Sequence, residues 1–247
     1  MNFFERDINF YTSLMRRNKA FSFAGYSDAE WFCLFGTRPG ELTSLGQVMD
    51  PAHGMLLLDI LRRRENDQRF LVAIPKIIET LAGFDLGQID AFLDGHGIKL
   101  VAYERDMVTD DLAAAAGLFP LVDAVRSHSQ FTALIGNSQL WPMKDILQLS
   151  AFVGISSPNL HMQPGGIDDV VGRVKKYGQP GLYLVSAGVS AAVIIDRLHD
   201  YFPSSIFFDC GSMWDAFVGI GGQREWRAKL YADPVALTEW KRKCLHG

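Results

Sequence analysis

Phe21-Ser22-Phe23-Ala24-Gly25-Tyr26-Ser27-Asp28-Ala29-Glu30-Trp31 is the stretch on which the reading of this chain turns. It runs from a short apolar strand into a turn, then two carboxylates at i and i+2, then the apolar start of a helix. Ser27 or Asp28 suits the N-cap, where a side-chain oxygen accepts from the free amides of the first turn. Residues two apart do not share a helix face, so Asp28 and Glu30 converge on one point only if the turn aims them there. On spacing alone the pair reads as a cap and a first-turn acid, both favoured by the helix dipole.

Working outward, the same unit recurs. Residues 5–18 carry Ile8, Tyr11, Leu14 and Met15 at helical spacing. A breaker-rich loop follows the helix at 28–35, and the segment 37–51 is expected to be a mobile loop of the kind that covers a site. A helix is expected over 51–65, with Pro51 at its start and Arg62-Arg63-Arg64 at its negative end; those arginines read as dipole partners or as a phosphate contact. The unbroken apolar run 70–74 has the pattern of a strand buried on both faces. Helices are expected at 76–82, 87–94, 106–116, 119–128, 141–149, 168–177, 191–199 and 233–243. Strands are expected at 98–102, 131–135, 151–155, 182–185 and 205–209, with 136–138 as the loop after the second of these.

Strands thus alternate with helices along the whole chain, which predicts a three-layer α/β sandwich with a mostly parallel, Rossmann-like sheet. At 247 residues this is one domain over 1–247, ending in a helical tail at 221–247. Composition narrows the function. The net charge is −4 and 21% of residues are charged, without a basic block, which argues against a nucleic-acid surface. Cys33, Cys210 and Cys244 show no C-x-x-C spacing, so neither a zinc site nor a disulfide framework is expected. The longest apolar stretch, 182–195, is too short to span a bilayer, and a cytoplasmic protein is expected.

Two places suit ligands in such a fold. Gly188-Val189-Ser190 joins a strand to a helix, where free amides and the dipole favour an anion. Asp209 ends the last strand, at the carboxyl edge where open α/β sheets bind ligands. A glycine at such a turn also serves packing alone. Asn137 suits a donor to a nucleotide; His161 lies in the loop after 151–155, where a structural role is favoured.

The segment 21–31 resembles the strand-turn-helix motif of GT-D-type glycosyltransferases, in which an Asp-X-Glu follows a strand of the form Phe-Ser-Phe-X-Arg-Tyr-Gly-Asp-Gly-Glu. A second resemblance covers Ser186-Ala187-Gly188-Val189-Ser190-Ala191 and Phe208-Asp209-Cys210-Gly211-Ser212-Met213-Trp214-Asp215. The chain departs from the motif at Gly25, where Arg is usual, at Ala29, where Gly is usual, and at Ser212, where some members carry His. The resemblance implies transfer of a sugar from a nucleotide-diphosphate donor, a UDP-sugar, to a hydroxyl on a glycan or glycoconjugate acceptor. It implies Mn²⁺ or Mg²⁺ at Asp28 and Glu30, and phosphate at Gly188, Val189 and Ser190. Asp209, Ser212 and Asp215 would line the sugar side, Arg224 would pair with phosphate, and a homo-oligomer is compatible with it. Two other readings stand beside this one. The chain would instead be a non-catalytic sugar-nucleotide or glycan-binding protein of a polysaccharide assembly system, or another Rossmann-type enzyme such as a methyltransferase. The last is disfavoured, because no Gly-x-Gly-x-x-Gly follows the first strand.

Overall fold

Apolar runs flanked by breakers give the protein its central sheet. The structure, a computed structural model, describes residues 3–4, 6–41, 46–74, 86–100, 103–104, 109–156 and 159–247. Among the described residues eight strands lie in one sheet: β1 (Phe3–Phe4), β2 (Phe21–Gly25), β3 (Phe70–Ala73), β4 (Tyr103–Glu104), β5 (Phe131–Asn137), β6 (Ala151–Ile155), β7 (Gly181–Ser186) and β8 (Ile206–Asp209). Their order is β1-β4-β3-β2-β8-β7-β5-β6, and every neighbouring pair is parallel. The all-parallel sheet with helices on both faces is the Rossmann-like sandwich that the alternation predicts. Because both faces are covered, the central strands are mostly apolar, and all residues of β3, β7 and β8 are buried.

Two apolar clusters fill the layers. One joins Trp31, Leu57, Leu61, Val170, Val174, Ile194 and Leu198 to one face of the sheet. The other joins Tyr11, Met15, Leu121, Val125, Trp214, Trp240 and Cys244 to the opposite face. Local chemistry sets where the helices begin. Asp7 accepts from the amides of Asn9 and Phe10 and starts Ile8–Arg16, while Asp50, followed by Pro51, accepts from Ala52 and starts Pro51–Arg64. Asp233 caps Pro234–His246 in the same way. The three cysteines are free and buried. Among the described residues no helix is long and apolar enough to cross a membrane.

Several boundaries differ from the sequence reading. Residues 98–100 are not strand; β4 is the two-residue piece Tyr103–Glu104. β5 runs on through Gly136 and Asn137, because its pairing with β6 continues to Ile155, so those residues are strand rather than loop. The helix expected over 141–149 shrinks to Met143–Ile146 after a 3₁₀ turn at Ser138–Leu140. The tail contains a second helix, Glu225–Ala232. The helix expected at 76–82 lies outside the described residues.

The arginines that end Pro51–Arg64 are tied inward. Arg64 donates Nε to Asp196 at 2.8 Å and both terminal nitrogens to Asp200 at 2.8 and 2.7 Å, and Arg63 pairs with Asp196. This ion network locks the helix to Ala191–His199. At the other end of the same helix, Gly54 lets the backbone touch the helix Asp28–Phe35: a Cβ on Gly54 would overlap the carbonyl of Cys33. Gly54→Ala is therefore expected to destabilise the protein by about 1–3 kcal/mol. Gly172, in the helix Gly166–Lys175, has open space where a Cβ would go. Gly172→Ala is expected to stabilise by about 0.5–1 kcal/mol. Urea unfolding of both variants measures the contrast, and similar effects of the same sign would contradict this account of the helix contact.

Candidate functional site

β2 and β8 lie side by side, with Phe23 opposite Phe208, and their connections leave in opposite directions. The chain after β2 joins the face that holds Trp31 and Leu57. The chain after β8 joins the face that holds Met213 and Trp240. Such a reversal opens a crevice at the carboxyl ends of the strands, where α/β sheets bind ligands.

Asp209 stands at that point. Its Oδ2 accepts from the Gly25 amide at 3.0 Å and its Oδ1 from the Gly211 amide at 2.9 Å. It is 7% exposed. Burial pushes its carboxyl up to about 6, against the pull of the two amides. A Cβ on Gly25 would come 3.0 Å from Oδ2. Where the GT-D motif has an arginine, this chain has a residue small enough for Asp209 to reach the β2 backbone.

Glu30 lies on the helix that follows. Its Oε2 accepts from the Ser27 amide at 2.9 Å and the Ser27 hydroxyl at 2.8 Å, so the side chain turns back onto the helix start. Burial pushes Glu30 up to about 7; the Ser27 contact opposes this, while the fields of Asp209 and Asp28 add to it. Asp28 is the first residue of the helix and is half-buried. The turn therefore gives the two carboxylates different roles: Glu30 braces the helix start within the field of Asp209, and Asp28 opens the helix. Among the described residues no group of three or more His, Cys, Asp or Glu is arranged to hold a metal ion. A cation here would draw on no more than two of these carboxylates and on ligand oxygens.

Gly188–Ser190 forms a 3₁₀ turn leading into Ala191–His199. Gly188 has φ +54°. The hydroxyls of Ser186 and Ser190 are buried and unpartnered, which marks a polar position open to a further donor or acceptor. Asn137 does not join Asp209. It ends β5, with β7 between β5 and β8, and its Oδ1 accepts from the Gln139 amide at 2.9 Å.

Ser212, Asp215 and Arg224 come together, but around two residues that the sequence reading missed, Asp110 and Arg227. Asp110 accepts from Arg224 at 2.6 Å, Arg227 at 2.6 Å, the Trp226 indole at 3.0 Å and the Ser212 hydroxyl at 3.3 Å. Arg227, fully buried, also donates to Asp215 at 3.1 Å and to the Ser212 carbonyl at 2.7 Å. Burial pushes Asp215 up to about 6 and Arg227 pulls it down. In this structure Arg224 and Asp215 are thus engaged within the protein. The network pins the Gly211–Ser212 turn, and through it the Asp209 carboxylate. No sequence signal joins Asp110 to Arg227, which lie 117 residues apart.

A serine, a histidine and an aspartate also line up elsewhere: Ser22 Oγ lies 2.7 Å from His199 Nδ1, and His199 Nε2 lies 2.9 Å from Asp67. Ser22 is fully buried within β2. A nucleophile must meet its substrate, so this chain ties β2 to Ala191–His199 and the turn before β3.

The buried acids give the protein a testable pH dependence. Glu30 has a higher pKa folded, about 7, than its ordinary value of 4.5. The native state therefore holds the extra proton, and that stability is lost as pH rises through 7. His53 runs the other way: burial lowers it to about 4 from 6.5, so its contribution is lost as pH falls below 6.5. Glu30→Gln mimics the protonated acid. Its stability relative to wild type is expected to rise by roughly 3 kcal/mol between pH 4.5 and pH 8. Denaturant unfolding at the two pH values tests this, and a constant difference would contradict it. Comparison with known proteins returns no match to a family model, a curated protein or a solved structure, so the chemistry rests on these residues.

Proposed function

We propose that the protein is a metal-dependent glycosyltransferase that takes a sugar from a nucleotide-diphosphate donor, a UDP-sugar, to a hydroxyl of a glycan acceptor. The observation that carries this reading is the placement of Asp209 and Glu30 at the switch point between β2 and β8. Both are buried and both hold protons more tightly than ordinary carboxyls. Crowded acids of this kind are relieved by a cation. Their oxygen-only donors suit Mg²⁺ or Mn²⁺, which complete their shells with water and phosphate oxygens. The resemblance of segments 21–31 and 186–215 to GT-D-type glycosyltransferases supports the same reading.

Leaving-group departure places negative charge on the diphosphate, and a bound divalent ion would supply the Lewis acid that stabilises it. Two carboxylates drawn from Asp28, Glu30 and Asp209 would hold that ion, with phosphate oxygens and water completing its shell. The amides of the Gly188–Ser190 turn, at the positive end of Ala191–His199, would face the phosphates. The Asp110–Arg227 network holds Asp209 in place during this chemistry, and Ser212 and Asp215 border the sugar side.

One observation favours a second reading, a sugar-nucleotide-binding protein without turnover. Gly25 supplies no cation, and Arg224 is neutralised by Asp110, which leaves less positive charge for a departing diphosphate.

Thermal unfolding with a panel of nucleotide-sugars, with and without Mn²⁺, tests the proposal. A ligand at one hundred times its Kd adds about 2.7 kcal/mol of stability, and a UDP-sugar with Mn²⁺ is expected to do so in wild type. Asp209→Asn is nearly isosteric; it should fold, lose the Mn²⁺ dependence of binding, and lose sugar transfer. Metal-dependent hydrolysis of the donor favours the transferase, and binding without turnover favours the module. Metal-independent binding of equal strength by wild type and Asp209→Asn would overturn the assignment of the carboxylates.

A further inference from the structure

The Gly188 turn is covered by the chain itself. Gly46 lies at φ +75°, and the next residue, Gln47, is set against the turn. The Gln47 carboxamide presses on Gly188 so closely that a Cβ there would overlap its Nε2. Gln47 is buried there, 8% exposed, although it belongs to a connection between helices.

Three hydrogen bonds from one short segment hold this strap down. The Val48 amide donates to Asn159 Oδ1 at 2.7 Å, and Asn159 Nδ2 donates to the Gly46 carbonyl at 3.1 Å. His161 Nε2 donates to the Val48 carbonyl at 2.9 Å. Beside it, with ring centroids 4.8 Å apart, His53 donates Nε2 to the carbonyl of Val189, inside the turn. Each imidazole thus carries its proton on Nε2, and each Nδ1 is buried and unpartnered. The Ser190 hydroxyl in the same turn is also unpartnered. The closed arrangement therefore leaves three polar atoms of the turn and its latch without partners. Such groups are costly when buried, and a ligand or water reaching the turn would relieve them.

We infer that the Gln47 strap is an autoinhibitory contact: it occupies the approach to the Gly188–Ser190 turn, and an anionic ligand binds there only when the strap lifts away from Asn159. This rests on the reading of that turn as the diphosphate site. The strap then sets the fraction of molecules competent to bind, and the apparent Kd is the intrinsic value divided by that fraction. Loosening the latch tightens binding without adding a contact to the ligand.

The test uses inorganic pyrophosphate with Mn²⁺, titrated calorimetrically into the full chain as wild type, Gln47→Ala and Asn159→Ala. Hydrogen exchange at the Val48 amide reports the strap directly. Both variants are expected to bind pyrophosphate more tightly than wild type, on the order of tenfold. In wild type, saturating pyrophosphate should speed exchange at Val48. The two variants fail independently as folds, since Gln47→Ala removes only a carboxamide and keeps the Asn159 bonds. Wild type and variants binding equally well, or the variants more weakly, would overturn the strap and leave the diphosphate site standing. Binding by none of the three would overturn both.

Discussion

The carboxylate of Asp209 joins two strand ends that the fold sends in opposite directions. One oxygen takes the amide of Gly25 at the end of β2, and the other takes the amide of Gly211 just past β8. Much of the surrounding sequence answers to that bridge. Residue 25 must be small, because a Cβ there presses on the carboxylate. The turn after β8 must be held, and the buried Arg227 holds it through the carbonyl and hydroxyl of Ser212. Arg227 in turn needs counter-charge, which Asp110 and Asp215 supply. A buried cation with one partner removed would be costly, so the second-last helix, the loop after β8 and the helix Thr109–Ala114 form one electrostatic unit.

The same bridge sets a buried acid at this edge of the sheet, close to Glu30 on the next helix. Two acids are held out of water, and burial raises both, Glu30 to about 7 with the field of Asp209 adding to it and Asp209 to about 6. Burying an acid without a cation costs stability, and proteins accept that cost where a ligand recovers it. A sheet of eight parallel strands exposes all its carboxyl ends on one side. The Gly188 turn therefore opens onto the same edge as Asp209, one strand away. Its cover of residues 46–50 belongs to the connection between the helices at Asp28–Phe35 and Pro51–Arg64, so the element that starts the site also lays its lid.

Much of the architecture was legible in the sequence. Buried strands such as β7 announce themselves as apolar runs, and the helices at Asp28–Phe35 and Ala191–His199 match their spacing residue for residue. What failed was local. β5 overran its expected end because pairing with β6 outweighed the breaker Gly136, and 141–149 frayed to one turn around Met143. At the site, Asp209 and the Gly188 turn were readable because strand ends in α/β sheets are privileged positions. The partnership of Asp110 with Arg227 was not, since 117 residues separate them and neither lies in a motif. Nor was the placement of Gln47, which depends on a contact between loops far apart in sequence. Spacing alone read Asp28 and Glu30 as a cap and a first-turn acid; in the structure Ser27 is the N-cap, Glu30 turns back to it, and Asp28 is the first helical residue.

Site-resolved titration by carboxyl ¹³C NMR tests the central claim most directly, in the free protein and again with UDP and Mn²⁺. The account predicts that Glu30 and Asp209 titrate near 7 and 6 in the free protein. On adding UDP with Mn²⁺ both should fall together, because a cation between them favours their ionised forms. Ordinary carboxylate values in the free protein, or raised values that UDP and Mn²⁺ leave unmoved, would contradict a cation-binding acid pair at the end of β2 and β8.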